Sequence, residues 1–372
     1  MASGENHLLC ALALNGVRGI GGITYRKLIE RFGSPAGVFK AGRNKLESIP
    51  RLPKTTIASI LAADPEKEGA EQLELLTRRG FGVLTLGAPG YPSLLSRIHD
   101  PPPVLYIAGS LKESDDLAVA IVGSRDPTDY GRKAAANLAG GLARAGVTVV
   151  SGMARGVDSA SHRGAIDGGG RTVAVLGSGL DVIYPPENYK LFEQIVKNGA
   201  VISSFPMGTK PERGNFPARN RIISGMSLGV VVVQATTPDS GSLITARCAL
   251  DQNREVFAVP GEVGIRVSRG TNELIKKGHA KLVENFADIL EEVLPQFDPG
   301  SNASEQKSKP PPKMENGEKD IWEKLGAKPL HIDNIARKCN LPIHQVAAIL
   351  LQLELKGIVE QRPGKMFLRT SE

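Results

Sequence analysis

The sequence predicts a doubly wound α/β domain of extended Rossmann-like type, with a helical module before it and a winged helix after it. Six short valine-rich runs point to this class: AVAIVG (118–123), VTVVSG (147–152), TVAVLG (172–177), AVISSF (200–205), GVVVVQA (229–235) and EVFAVPG (255–261). Near-continuous apolar runs of this kind are what strands buried on both faces of a parallel sheet require. The stretches between the runs have helical period, and strands alternating with helices imply a parallel sheet covered on both faces. A change of pattern at either end of this region sets the domain limits.

Residues 1–80 form the first module. The segment VRGIGGITYRKLIERFGSPAGVF (17–39) places a glycine-rich turn, Gly19 to Gly22, before an amphipathic helix, as in SAM or helix-hairpin-helix-like modules. Such a turn can hold a DNA phosphate or simply pack, and packing is the favoured reading. Residues 81–295 hold the α/β domain. Its Pro-rich lead-in (81–117), with Tyr91-Pro92, Pro101 to Pro103 and two short apolar runs, reads as an extension of the sheet.

Residues 296–319, including FDPGSNASEQKSKPPPKMENGEK, have almost no apolar content and read as a disordered linker. Residues 320–372 resume order. DIWEKLG, PLHIDNIARKCN and LPIHQVAAILLQLELKG are expected to be helices, and IVEQRPGKMFLR a hairpin turning at Pro363-Gly364, which together make a winged-helix pattern. Its third helix carries His344, Gln345, Gln352, Glu354 and Lys356, hardly a basic set, so protein contact or an auxiliary role is as plausible as duplex DNA.

Composition narrows the function. The chain has 372 residues, 41% of them hydrophobic, with a formal charge of +7. That is ample for packed cores, and the charge suits an anionic partner. No run of 18 or more apolar residues and no export signal is apparent, so a cytoplasmic protein without membrane attachment is expected. Cys10, Cys248 and Cys339 lie far apart and offer neither metal-ligand spacing nor a disulfide framework. No metal and no cofactor is expected.

The loops that leave the strands carry the chemistry, because strand ends of a parallel sheet lie on one edge and the following helices aim unpaired N–H groups at whatever sits there. After the first run, Gly123, Ser124 and Arg125 form a strand-to-helix turn suited to an anion, although neither a dinucleotide fingerprint nor a P-loop is present. After the second, SGMARGVDSASHRGA offers Ser151, Gly152 and Arg155, with Arg163 further on and Asp158 placed to cap the next helix. After the third comes GSGLDVIYPPENYKLF, a small-residue turn. After the fourth, PMGTKPERGNFPARNRIISG concentrates Lys210, Arg213, Arg219 and Arg221 around Phe216 and Asn220. After the fifth, TTPDSGSLITARCAL supplies Ser240, Gly241 and Ser242.

So many cations exceed what one nucleotide needs. An extended single strand is the better ligand, with arginine forks on phosphates and Phe216 stacking on a base. Catalysis lacks its parts: the strand-end carboxylates are Asp126, Asp158, Asp181 and Asp239, no nucleophile-base pair appears, and His162 reads as structural. No catalytic residue is assigned. The alternative is an enzyme or sensor that binds a nucleotide phosphate in the cradle of Gly123 to Arg125 and Ser151 to Gly156.

The series IVGSRDPTDYG, VSGMARGVDSASHRGA, TVAVLGSGLDVIYPPEN, FPARNRIISG, SGSLITA, VFAVPG and RGTNELIKKGHA, spanning 81–290 in order, resembles the DNA-processing protein A (Smf) family. The resemblance implies a protein of natural transformation and homologous recombination that binds incoming single-stranded DNA, protects it and loads a RecA-type recombinase. It also implies a homodimer formed through the α/β domain, places Arg125 and Arg213 in the DNA pocket, and implies no turnover. Two positions depart from the family's usual acids, Ser204 and Gln234, which further lowers the expectation of nucleotide hydrolysis.

Overall fold

The computed structural model describes residues 2–236, 240–294, 316–325, 330–339, 341–355, 359–362 and 365–369. The chain divides into two compact units, 1–298 and 299–372.

All six valine-rich runs are strands: β3 (Ala118–Val122), β4 (Thr148–Ser151), β5 (Thr172–Val175), β6 (Gly199–Ser203), β7 (Gly229–Val232) and β8 (Glu255–Ala258). The lead-in adds β1 (Gly82–Thr85) and β2 (Val104–Gly109), and a two-residue strand, β9 (Lys281–Leu282), closes the other edge. The order is β1-β2-β6-β5-β4-β3-β7-β8-β9. From β6 to β9 every pairing is parallel, whereas β2 runs antiparallel to β6 and β1 antiparallel to β2.

Strand β3 shows why its residues are continuously apolar. Ala118, Ala120 and Val122 pack into one core and Val119 and Ile121 into another, because successive side chains leave opposite faces of the sheet. Helices Asn215–Gly225 and Gly241–Asp251 cover the first face with Ile222, Ile223 and Leu243. Helices Asp129–Arg144 and Val157–Asp167 cover the second with Leu138, Leu142 and Val157.

The N-terminal region contains six helices: Ala2–Gly16, Gly22–Phe32, Pro35–Phe39, Arg43–Glu47, Lys54–Ala62 and Pro65–Arg78. They belong to the same compact unit as the sheet. The glycine-rich turn packs: Gly19 has φ +87°, and a Cβ there would lie 2.4 Å from Thr56 Oγ1. Arg26 Nη1 donates to the His99 carbonyl at 2.6 Å and Asn15 Nδ2 to the Ser204 carbonyl at 3.1 Å, fastening the helices to the α/β part.

In the second unit, helices Asn316–Lys324, Ile332–Cys339 and Ile343–Leu355 enclose Ile321, Ile335, Val346 and Phe367. Strands β10 (Leu330–His331), β11 (Val359–Arg362) and β12 (Met366–Arg369) pair in the order β10-β12-β11. The first helix begins inside the segment read as a linker, whose residues up to 315 lie outside the described residues, as do Lys356 and the Pro363-Gly364 turn. His344, Gln345 and Gln352 are exposed and Glu354 is half-buried.

Candidate nucleic-acid interface

Strand β3 has β4 on one side and β7 on the other, and the helices that follow β3 and β7 pack on opposite faces. The chain therefore opens a crevice above the carboxyl ends of β3 and β7, the place where open α/β sheets bind ligands. Two adjoining cavities occupy it. The inner one, about 230 Å³, is lined by Ser124, Arg125, Asp158, Arg219, Asn220 and Ser242 among others. The outer one, about 320 Å³, is lined by Gly152, Arg155 and Tyr184 and shares Arg125, Ala154, Phe216 and Arg219 with the first.

The turn after β3 holds its own shape. Ser124 Oγ accepts the Asp126 N–H at 3.1 Å, and the Ser124 carbonyl accepts the Val157 N–H, tying the first turn to the start of the next helix. Gly123, Ser124 and Arg125 thus line the inner cavity together. There the guanidinium lies over the Phe216 ring, Cζ 5.3 Å from the centroid. Such a contact positions a cation without neutralising it. The second aromatic neighbour of Phe216 is Tyr184, at 6.2 Å and tilted by 47°.

Arg219 is the deepest cation of the site. Its side chain is 5% exposed, and neither Nε nor Nη1 has a hydrogen-bond partner. Buried polar groups are normally satisfied, so a guanidinium with two unpartnered nitrogens beside two cavities is an exception that calls for an explanation. Space for it comes from Gly152, where a Cβ would stand 1.3 Å from Nη1. Asp158 provides the nearby countercharge: burial pushes its carboxyl above the usual range, opposed by Arg219 and by the Ala154 N–H, which donates to Oδ2 at 3.3 Å. Opposite lies the start of helix Gly241–Asp251, which Ser240 precedes without a side-chain cap. Asn220 Nδ2 donates to the Gly241 carbonyl at 3.1 Å and so holds this helix start against the helix carrying Arg219.

Several expected ligands are placed otherwise. Asp158 is not the helix cap: Gly156 occupies that position, and the carboxylate turns back to the loop. Ser151 is fully buried and its Oγ donates to the Ile121 carbonyl at 2.7 Å, joining β4 to β3 rather than facing a ligand. Arg221 leaves the groove altogether, pairing with Asp100 Oδ2 at 3.0 Å and with the Asp100 carbonyl. Arg155 stands at the outer rim in an exposed ion pair with Glu187. Lys210 and Arg213 are exposed on the neighbouring loop and line neither cavity. Tyr184, which lines the outer cavity, was not singled out from the sequence; its signal was a tyrosine before two prolines in the loop after β5.

The carboxylates do not assemble a catalytic set among the described residues. Asp181 Oδ1 accepts the Gly208 N–H at 2.8 Å, Asp126 is exposed, and Asp239 lies outside the described residues. His162 is fully buried. Since Thr172 Oγ1 donates to the Val149 carbonyl, His162 Nδ1–H donates to Thr172 Oγ1 at 2.7 Å, and burial lowers the imidazole to about 3. Gln234 is equally structural: Oε1 accepts the Thr128 N–H at 3.0 Å and Nε2 donates to Thr128 Oγ1 at 2.9 Å, fixing the start of helix Asp129–Arg144. Among the described residues no cluster of His, Cys, Asp and Glu could hold a metal ion, and no helix is long and apolar enough to cross a membrane.

Comparison with known proteins shows the family. The family described as DNA recombination-mediator protein A matches residues 82–294, and the winged helix domain of the DprA proteins matches 305–365. The chain is 35% identical to Protein Smf of Synechocystis over 96% of its own length and 98% of that protein's. It is 43% identical to DNA processing protein DprA of Streptococcus pneumoniae over 54% of this chain and 71% of that one. The crystal structure of the pneumococcal protein superposes with a TM-score of 0.67 at 34% identity, covering 77% of this chain and 98% of that one. DNA processing protein A of Helicobacter pylori, described for its single-stranded DNA binding mode, gives a TM-score of 0.53 at 34% identity over 59% of this chain and 97% of that one.

Proposed function

This chain belongs to the DNA recombination-mediator protein A family, and from that premise we propose that it binds single-stranded DNA along the edge of the sheet and mediates recombination. The observation that carries the DNA site is Arg219: a buried guanidinium whose Nε and Nη1 have no hydrogen-bond partner, next to Arg125 and an uncapped helix start. One phosphate held there satisfies the cation, and exposed Lys210 and Arg213 extend positive charge to neighbouring phosphates. The bound strand is protected and presented to a RecA-type recombinase in the cytoplasm. Pairing of two chains through their α/β domains gives two grooves, and the second engagement gains from effective concentration.

The site binds without turnover. Asp158, the acid among the described residues that lines the inner cavity, is buried beside Arg219 and accepts a backbone N–H, an environment poorly suited to activating a water. The small inner cavity also suits the phosphate of a single nucleotide, so the two readings need separating. Titration with oligothymidines of increasing length at two salt concentrations does this. The strand reading predicts a length threshold of several residues, a salt slope of roughly 0.7 per phosphate contacted, and weaker binding to duplex. Saturation by mononucleotide with no length dependence contradicts it.

A further inference from the structure

We propose that the outer cavity is a nucleobase site and that Tyr184, not Phe216, is the side chain on which the base stacks. This rests on the single-strand reading of the same edge. Phe216 already has two neighbours, the Arg125 guanidinium 5.3 Å from its centroid and the Tyr184 ring at 6.2 Å. Its role is to hold Arg125 in place, so a base that displaced the guanidinium would loosen the phosphate contact made next door. Tyr184 lines a cavity of about 320 Å³ and is 44% exposed, so part of its ring is open to a ligand. The 47° tilt between the two rings leaves a wedge rather than a closed stack. A flat ring can lie on Tyr184 with the edge of Phe216 as its floor.

The surroundings suit a base rather than a second phosphate. Gly177 and Ser178 keep one wall low, Pro185 and Pro211 supply apolar contact, and Arg155 at the rim is already neutralised by Glu187. Because Arg125, Ala154, Phe216 and Arg219 form the partition between the cavities, a phosphate in the inner one and its base in the outer one belong to a single nucleotide or to neighbours in the strand. Stacking accepts any base, so little sequence preference follows.

The test uses the full chain with an oligothymidine and with an abasic strand carrying the same number of phosphates. Wild type is expected to bind the oligothymidine about ten-fold more tightly than the abasic strand. Tyr184→Ala should lose that preference while keeping the wild-type salt slope, since no phosphate contact is removed. Tyr184→Phe should retain both, which separates stacking from damage to the fold. Equal binding of the two strands by wild type, or an undiminished preference in Tyr184→Ala, overturns the base site while leaving strand binding intact. Failure of wild type to bind either strand overturns the strand reading and this inference with it.

Discussion

Arg219 and Arg221 are two residues apart and do opposite things. Both lie on the helix Asn215–Gly225, where a separation of two residues turns side chains by about 200°, so one enters the crevice and the other meets Asp100. Read as a loop, the stretch offered four equivalent cations; because Arg219 and Arg221 lie on a helix, the two cannot face one ligand. The same limit applies to Ser151, whose place as the last residue of β4 directs its hydroxyl to β3. That Ser124, Arg125 and Ser242 would share one cavity was legible because a turn after a buried parallel strand has only one edge to occupy. Gly152 is the residue on which the depth of Arg219 depends. Gly152→Ala is expected to displace the guanidinium and lower single-strand affinity about ten-fold or more, the loss of one or two charge-assisted hydrogen bonds of about 1.5–3 kcal/mol each. Fluorescence anisotropy measures this, and an unchanged affinity would mean that Arg219 takes no part.

At the scale of elements, the six parallel strands could be read from sequence because burial on both faces demands uninterrupted apolar runs. The two-residue β9 was not legible, since Lys281 and Leu282 are both exposed and leave no periodic signal. Helix Val157–Asp167 shows how a polar residue serves such a scaffold. His162 joins it to β5 through Thr172, and burial lowers its pKa from 6.5 to about 3. Between those values the unfolded chain binds a proton that the folded chain does not, so stability rises with pH across the window and falls on acidification. The contribution is complete above about pH 6.5 and is lost as pH drops toward 3, by about 1.4 kcal/mol per pH unit at most. Denaturant unfolding at pH 7 and pH 5 should show a smaller loss in His162→Gln than in wild type; equal losses would assign the acid sensitivity to other groups.

The whole molecule joins a scaffold, a charged edge and a second unit with a core of its own. A formal charge of +7 favours an anionic partner without placing it; the proposed place is the crossover between β3 and β7, where Arg125 and Arg219 line one cavity with the start of helix Gly241–Asp251. The packing of the glycine-rich turn against Thr56, and the exposed Gln345 and Gln352 on the last helix of the winged-helix unit, leave both flanking regions with weaker claims on a phosphate. The most direct measurement is an anisotropy titration of a labelled single strand, at two salt concentrations, against full-length wild type, Arg125→Ala and Arg221→Ala. The placement of these arginines predicts that Arg125→Ala loses most of its affinity with a shallower salt slope, while Arg221→Ala keeps the wild-type slope. Equal losses in the two variants, or binding that ignores Arg125→Ala, would contradict a strand site on this edge of the sheet.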